Sequence, residues 1–210
     1  MGSRFVTEHL VKNAAIGWSE VGSGEAALIQ RCAAGEQAAC AELVASHERM
    51  VFQLALHLLG DRDEALDLSQ EVFLRVFRTL RTFRGQSALR TWIYRIAINQ
   101  ARNRQRWWRR RRRADQVQLE QHVIDHGELA QPEDGDAPDR ALQRQEIASR
   151  LWAALDALPF DQRTVIVLRE IDGLSYEEIA DSLSVAIGTV KSRLTRARQA
   201  LRRDLQEVRP

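Results

Sequence analysis

The chain has 210 residues, with 31 Lys and Arg against 29 Asp and Glu and 44% hydrophobic residues, which excludes a disordered or fibrous protein and leaves room for one domain or two small ones. No run approaches the roughly 20 apolar residues of a bilayer span, and the N-terminal stretch lacks the basic start and apolar run of a secretory leader, so neither a secreted nor an integral membrane protein is expected. Two cysteines, Cys32 and Cys40, are too few for a disulfide framework or a zinc site and suit a reducing cytosol.

Residues 1–24 form an N-terminal extension with Trp18 and a Gly-Ser-Gly break that matches no pattern. Only four prolines, and many Leu, Ala, Arg, Glu and Gln, predict an all-α fold beyond it, because these side chains lose little rotamer freedom in a helix. Over 25–59, Leu43, Met50, Val51, Leu54 and Leu58 make one apolar stripe that Gly60-Asp61 ends. From Asp63 to Leu80 the inner side is Ala65, Val72, Phe73, Val76, Phe77 and Leu80. Asp63, Asp67 and Glu71 recur every four residues on another face. These carboxylates admit three readings: a solvated face, a docking patch for a basic partner, or metal ligands. No His joins them, and a site would need ligands from a second element, so no metal is assigned.

A third helix is predicted from about Ser87 to Arg113, after the break Phe83-Arg84-Gly85-Gln86, with Ser87 as cap. Leu89, Ile93, Ile96 and Ala97 point inward, whereas Trp92, Arg95, Asn99, Arg102 and Arg106 recur at spacings of 3 and 4 and share one outward stripe. Guanidinium groups neutralise phosphates, aromatic rings stack on unpaired bases, and an amide bonds a base edge. That is the chemistry of a nucleic-acid surface. The helix ends in an arginine run, 109 to 113, beside Trp107 and Trp108.

The charge then inverts. Between Ala114 and Asp139 there is no Lys or Arg but there are eight carboxylates: Asp115, Glu120, Asp125, Glu128, Glu133, Asp134, Asp136 and Asp139. With Pro132, Gly135 and Pro138 among them, 114–140 is predicted to be an acidic linker between two modules, 25–113 and 141–210. A helix follows from Ala148 to Leu158, stopped by Pro159, with Asp161 placed to cap the next, Gln162 to Glu170. Ser175-Tyr176-Glu177-Glu178 is a capping box. After a turn at Leu183-Ser184-Val185, Ile187, Val190, Leu194, Ala197 and Leu201 mark a last amphipathic helix. Its outer face holds Thr189, Lys191, Ser192, Arg193 and Arg196, with no Asp or Glu from 184 to 203. A short helix, a tight turn and a basic second helix form the helix-turn-helix pattern, whose second helix enters a DNA major groove.

Taken together, these segments resemble the sigma-70 family of bacterial RNA polymerase sigma factors, in its small extracytoplasmic-function (ECF) class. The stretch Asp67-Leu68-Ser69-Gln70-Glu71-Val72-Phe73-Leu74-Arg75-Val76 is similar to the family's core-polymerase docking segment. Phe83-Arg84-Gly85-Gln86-Ser87 with Thr91-Trp92-Ile93-Tyr94-Arg95-Ile96-Ala97-Ile98-Asn99 is similar to the segment that melts and reads the −10 element. Leu158-Pro159, Tyr176-Glu177-Glu178-Ile179-Ala180 and Gly188-Thr189-Val190-Lys191-Ser192-Arg193-Leu194 are similar to the −35-reading domain. Ser184 stands where the family often has Gly, and Ala186 where Pro is frequent.

The resemblance implies two small helical domains, sigma domain 2 and the helix-turn-helix sigma domain 4. It implies a cytoplasmic initiation subunit without catalysis or cofactor of its own. Its implied partners are core RNA polymerase (the β′ clamp helices and the β flap), promoter DNA and an anti-sigma factor. Asp63, Asp67, Gln70 and Glu71 are the implied docking residues. Phe83, Arg84, Ser87, Trp92, Tyr94, Arg95, Asn99, Arg102 and Arg106 would meet −10 DNA, with Arg104 as a further phosphate contact. Thr189, Lys191, Ser192, Arg193 and Arg196 would meet −35 DNA. Two other classes remain open from the residues alone: a stand-alone helix-turn-helix regulator, and a metal-dependent nuclease using Asp63, Asp67 and Glu71.

Overall fold

In a computed structural model the described residues are 23–114 and 138–206. Most of the N-terminal extension and of the acidic linker lies outside them. Among the described residues every regular element is helical.

The first module begins with α1 (Ser23–Ala33) and α2 (Gln37–Leu59). The apolar run of 25–59 is thus two helices, because Gly35 takes a left-handed backbone (φ 93°) that turns the chain between them. Across this corner Cys40 Sγ donates to the Cys32 carbonyl at 3.6 Å. Both thiols are free, and burial, then the neighbouring Cys40, pushes Cys32 up to about 12. Gly60, also left-handed at φ 72°, closes α2 by donating its N–H to the Leu56 carbonyl. Asp61 then caps α3 (Arg62–Thr79), accepting from the Glu64 amide at 2.8 Å. A single 3₁₀ turn, Leu80–Thr82, leads through the loop 83–88 into α4 (Leu89–Ala114), which starts two residues beyond Ser87.

Leu43, Val51, Leu54 and Leu58 of α2, Ala65, Leu68, Val72 and Val76 of α3, and Leu89, Ile93, Ala97 and Ala101 of α4 are almost wholly removed from water. Burying one such leucine or valine contributes about 1.5–3 kcal/mol, so this three-helix contact dominates the module. Ile96 and Phe77, expected inside, are only half-buried at its edge.

The second module starts earlier than its apolar pattern suggests, with α5 (Pro138–Ala157). Then come α6 (Phe160–Ile166), a widened π turn (Val167–Ile171), α7 (Tyr176–Leu183) and α8 (Ile187–Gln206). The expected single helix Gln162 to Glu170 is therefore an α-helix continued by a π turn, where the Asp172 amide reaches back to the Val167 carbonyl at 3.0 Å. Ser175 and Glu178 form the reciprocal capping box at 3.1 and 2.7 Å. Ser184 ends α7 in a left-handed conformation at φ 54°, the one non-glycine residue of positive φ among those described.

The two modules pack directly on one another: α7 lies across α4, α6 touches α2, and the buried apolar cluster runs through both. The His57 ring of α2 stacks on Trp152 of α5 at 4.7 Å and 17°. Arg163 of α6, buried among apolar groups, pairs with Asp156 at 2.7 Å and donates to the Leu58 carbonyl of α2 at 3.2 Å. Burial pulls that guanidinium below its usual range, and the acid beside it is what makes the burial tolerable.

Candidate nucleic-acid interface

The apolar face of α4 fixes where its polar stripe points. Leu89, Ile93, Ala97 and Ala101, one turn apart, sink into the first module. Trp92, Arg95, Asn99, Arg102 and Arg106 therefore line up together on the opposite side, as their spacing requires. Asn99 and Arg106 are open to solvent, and the other three are half-buried. Trp92 leans on Phe83, ring centroids 5.1 Å apart and tilted 45°. Phe83 is itself buried, so it forms the floor under Trp92 instead of a contact surface. Around it Arg84 is exposed and Ser87 half-buried, while Gly85 makes the bend at φ 67°.

Tyr94 differs from its expected place. It is wholly buried where α4 meets the second module, with Arg90 donating to its hydroxyl at 3.1 Å. Burial and then the facing Asp172 carboxylate push the phenol up to about 12. In this arrangement it is a core residue, not one presented to a ligand. Arg104 differs too. It bonds Glu64 at 2.6 Å and Glu71 at 2.7 Å, bracing α4 against α3, which leaves it no free face for phosphate.

Beyond Arg102 the helix extends as a cationic rod. Trp108 packs on the core, whereas Trp107 is about half exposed with the Arg111 guanidinium 5.1 Å over its ring. Arg106, Arg109 and Arg110 stand in solvent beside it.

On α3, Asp63, Asp67 and Gln70 are exposed on one side, and Glu71, although half exposed, is shared with Arg104. Leu66 and Leu74 are 43% and 54% exposed on the same outward side. They were not singled out in the sequence, yet Leu66, Gln70 and Leu74 recur every four residues beside the acids. That spacing is the signal that could have found them. Among the described residues, no three His, Cys, Asp or Glu are grouped so as to hold a metal ion.

In the second module, Val190, Leu194 and Ala197 bury one side of α8, which turns Lys191 and Arg196 outward into solvent. Lys191 Nζ lies 5.7 Å over the Tyr176 ring. Thr189 and Ser192 are half-buried, and Ser192 Oγ donates to the Thr189 carbonyl at 2.9 Å. Ile187, expected inside, is 38% exposed at the helix start. Arg193 is not free. It donates to Asp161 Oδ2 at 2.9 Å.

Asp161 does not cap α6, whose N-cap is Pro159 without a side-chain bond. Its second oxygen instead accepts from Arg102 of α4 at 3.1 Å, and the Arg102 guanidinium sits 5.5 Å over the Phe160 ring. One carboxylate thus joins a residue expected at −10 DNA to one expected at −35 DNA. Nearby, Arg95 donates to the Asp181 carbonyl of α7 at 2.8 Å, and Arg90 to the Asp172 carbonyl at 3.3 Å. Asp172, largely enclosed there, is pushed up to about 6 by burial, against the pull of Tyr94 and Arg90. No helix of the described residues is long and apolar enough to cross a membrane.

Known proteins share this layout. Residues 43–114 match the family model of sigma-70 region 2, and 145–201 that of sigma-70, region 4. The chain is 39% identical over 181 residues to the RNA polymerase sigma-H factor of Pseudomonas aeruginosa, covering 86% of this chain and 93% of that one. It is 36% identical over 186 residues to the ECF RNA polymerase sigma-E factor of Escherichia coli K12, covering 86% and 94%. Among solved structures, it is similar to the sigma factor RpoE in complex with the anti-sigma factor NepR from Bartonella quintana, with TM-score 0.63, 26% identity, and 80% and 97% covered. CnrH in complex with the cytosolic domain of CnrY gives TM-score 0.61 at 26% identity, with 87% and 97% covered. With both sigma regions matched in order and full-length relatives above 30% identity, the chain belongs to the sigma-70 family of RNA polymerase sigma factors, in its extracytoplasmic-function class.

Proposed function

We propose that this chain docks on core RNA polymerase, recognises −35 and −10 promoter elements, promotes strand opening at the −10 element, and is held in check by an anti-sigma factor. The boundaries are those of the sequence: 25–113 for docking and the −10 element, 141–210 for the −35 element, and 114–140 as the acidic linker. In this reading the chain works in the cytoplasm and lends the polymerase specificity without catalysis of its own. The observation that carries it is the pairing of an aromatic-amide-guanidinium stripe on α4 with a basic outer face on α8, in a chain of this family.

Each surface has a physical task. The acids of α3 with Leu66 and Leu74 present an apolar-acidic patch suited to basic polymerase helices. Trp92 over Phe83, with Asn99 beside it, suits a base already opened: stacking returns about 1–3 kcal/mol per base, comparable to the cost of unstacking it. Arg84, Arg102 and Arg106 would hold phosphates and fix register without reading sequence. Arg95 would join them once released from Asp181, and Ser87 would line the loop. On α8, Lys191 and Arg196 would hold the −35 duplex, with Thr189 and Ser192 near the helix start as readers and Arg193 supporting them. The anti-sigma assignment draws on RpoE in its complex with NepR.

The test is co-purification with bacterial core polymerase, followed by transcription from a promoter library. Wild type is expected to bind core and to yield discrete transcripts. Asp67→Lys is expected to weaken capture by core at least tenfold, since charge reversal at a docking patch costs more than about 1.4 kcal/mol. Specific duplex binding by the isolated chain with no effect of polymerase would instead make it a stand-alone regulator.

A further inference from the structure

Two reactive side chains of the first module have no part in docking or DNA binding. Cys32 and Cys40 are the only cysteines of the chain, and both lie ahead of residues 43–114, the segment that matches the family model, so the family pattern does not call for them. The fold nonetheless brings them together. Cys32 stands next to the end of α1, Gly35 turns the chain at φ 93°, and Cys40 lies in the first turn of α2. The Gly35 amide donates to the Cys32 carbonyl at 2.9 Å, and the Cys40 thiol donates to that same carbonyl at 3.6 Å. From the 3₁₀ turn Arg81 donates to the adjacent Ala33 carbonyl at 3.1 Å. Ile29 and Cys32 of α1 pack with Ala39 and Leu43 of α2 in the buried cluster. The corner is thus built whether or not the sulfurs are joined. Both thiols are free but unequal: Cys32 is 5% exposed and Cys40 is half-buried, so solvent reaches one far more readily than the other.

We infer that Cys32 and Cys40 form a redox site, at which a peroxide oxidises Cys40 and Cys32 then closes a reversible disulfide that staples α1 to α2. The inference is independent of the sigma reading. The Cys40 thiolate attacks one peroxide oxygen, the O–O bond breaks, and hydroxide departs with the proton that Cys40 gave up, leaving a sulfenic acid and water. The Cys32 sulfur then attacks the Cys40 sulfur. The S–O bond breaks, and the Cys32 proton leaves with the hydroxyl as a second water. Two thiols lose two hydrogens and the peroxide is reduced to water. The order follows from the surroundings. Burial, and then the Cys40 thiol beside it, push Cys32 up to about 12, so it stays a sheltered thiol until its neighbour is oxidised. A cross-link between residues eight apart restricts the unfolded chain, which raises the melting temperature of the oxidised form. In a reducing compartment the bond is transient.

The test treats the reduced full chain with hydrogen peroxide and follows it by thiol labelling, intact mass and peptide mapping. Wild type is expected to lose both free thiols while remaining a monomer, to fall in mass by two hydrogens, to yield a cross-linked Cys32–Cys40 peptide, and to recover both thiols with dithiothreitol. Its oxidised form is expected to melt about 5 °C above the reduced one. Cys32→Ala is expected to leave a sulfenic acid at Cys40 that dimedone traps, whereas Cys40→Ala is expected to keep Cys32 reduced at the same dose. Circular dichroism checks that both variants fold as wild type does, and peptide mapping of wild type decides the matter where one does not. Retention of both thiols at a dose that oxidises free glutathione, disulfide-linked dimers in place of the internal bridge, or a bridged chain that melts no higher than the reduced one would overturn the inference. So would oxidation of Cys32 in Cys40→Ala at the wild-type rate.

Discussion

Asp172 occupies an awkward position for a carboxylate. The π turn delivers it to the seam between modules, its Oδ2 enclosed without a hydrogen bond, facing Tyr94 and Arg90 of α4. Burial raises it to about 6, so the folded protein holds the proton more tightly than the unfolded chain, whose value is near 4. A raised acid stabilises the fold fully below its unfolded value, and that contribution is lost as pH rises through the folded value. Asp172→Asn carries no charge at any pH and keeps an oxygen for the Tyr94 hydroxyl. It is therefore expected to melt higher than wild type at pH 7.5, with the gap much smaller at pH 4.5 and closing only below about pH 4. Thermal unfolding at the two pH values checks this, and a gap independent of pH would show that the carboxylate is not the strained group. The residues of this seam are also where the sequence is least readable. Tyr94 sits inside a stretch expected to read DNA and Asp161 two residues after a proline, so local pattern assigns one to DNA and the other to a helix cap. Their actual partners, Asp172 and Arg102, lie 78 and 59 positions away, and no short-range periodicity encodes such a pairing.

Helix ends, by contrast, are local events and largely legible. Ser175 with Glu178, Gly60 after α2 and Pro159 after α5 each act within a few residues, through bonds that the residue types announce. The break at Gly35 is harder to see, because helix-forming residues flank it on both sides and a lone glycine within a helical pattern is often tolerated. Ser184 shows the cost of departing from a local rule. In the turn before α8 it adopts φ 54°, while the Val185 amide reaches the Ala180 carbonyl at 3.0 Å to close α7. A left-handed non-glycine residue is strained by about 1–2 kcal/mol, and glycine relieves this while losing more chain entropy on folding, about 0.5–1 kcal/mol. Ser184→Gly is thus expected to raise stability by up to about 1 kcal/mol, seen as a higher urea midpoint at unchanged slope. A lower midpoint would show that the serine side chain, not the backbone, governs this turn.

At the level of the whole molecule, the contacts that the second module makes with Arg95 and Arg102 are linked to promoter binding by mass action. If only a fraction f of free chains exposes the α4 stripe, the apparent dissociation constant for a single strand is the intrinsic one divided by f. Any change that loosens the contact between the modules can improve binding by no more than 1/f, and it improves nothing once another ligand has already parted them. Core polymerase is that ligand under the sigma reading, because it must hold the two DNA-reading modules on promoter segments set apart along the duplex. Polymerase affinity and opening are therefore reciprocal: whatever polymerase gains by binding the open form, it supplies to the single strand. The expected result is a difference between two states of the same variant. Asp161→Ala should tighten oligothymidylate binding about fivefold in the free chain, but by less than about twofold when the chain is saturated with core polymerase. It should also bind core itself about fivefold more tightly, since less work is needed to part its modules. Equal gains with and without polymerase would mean that Asp161 acts on the strand directly, by removal of a repelling charge, and not through the closed arrangement.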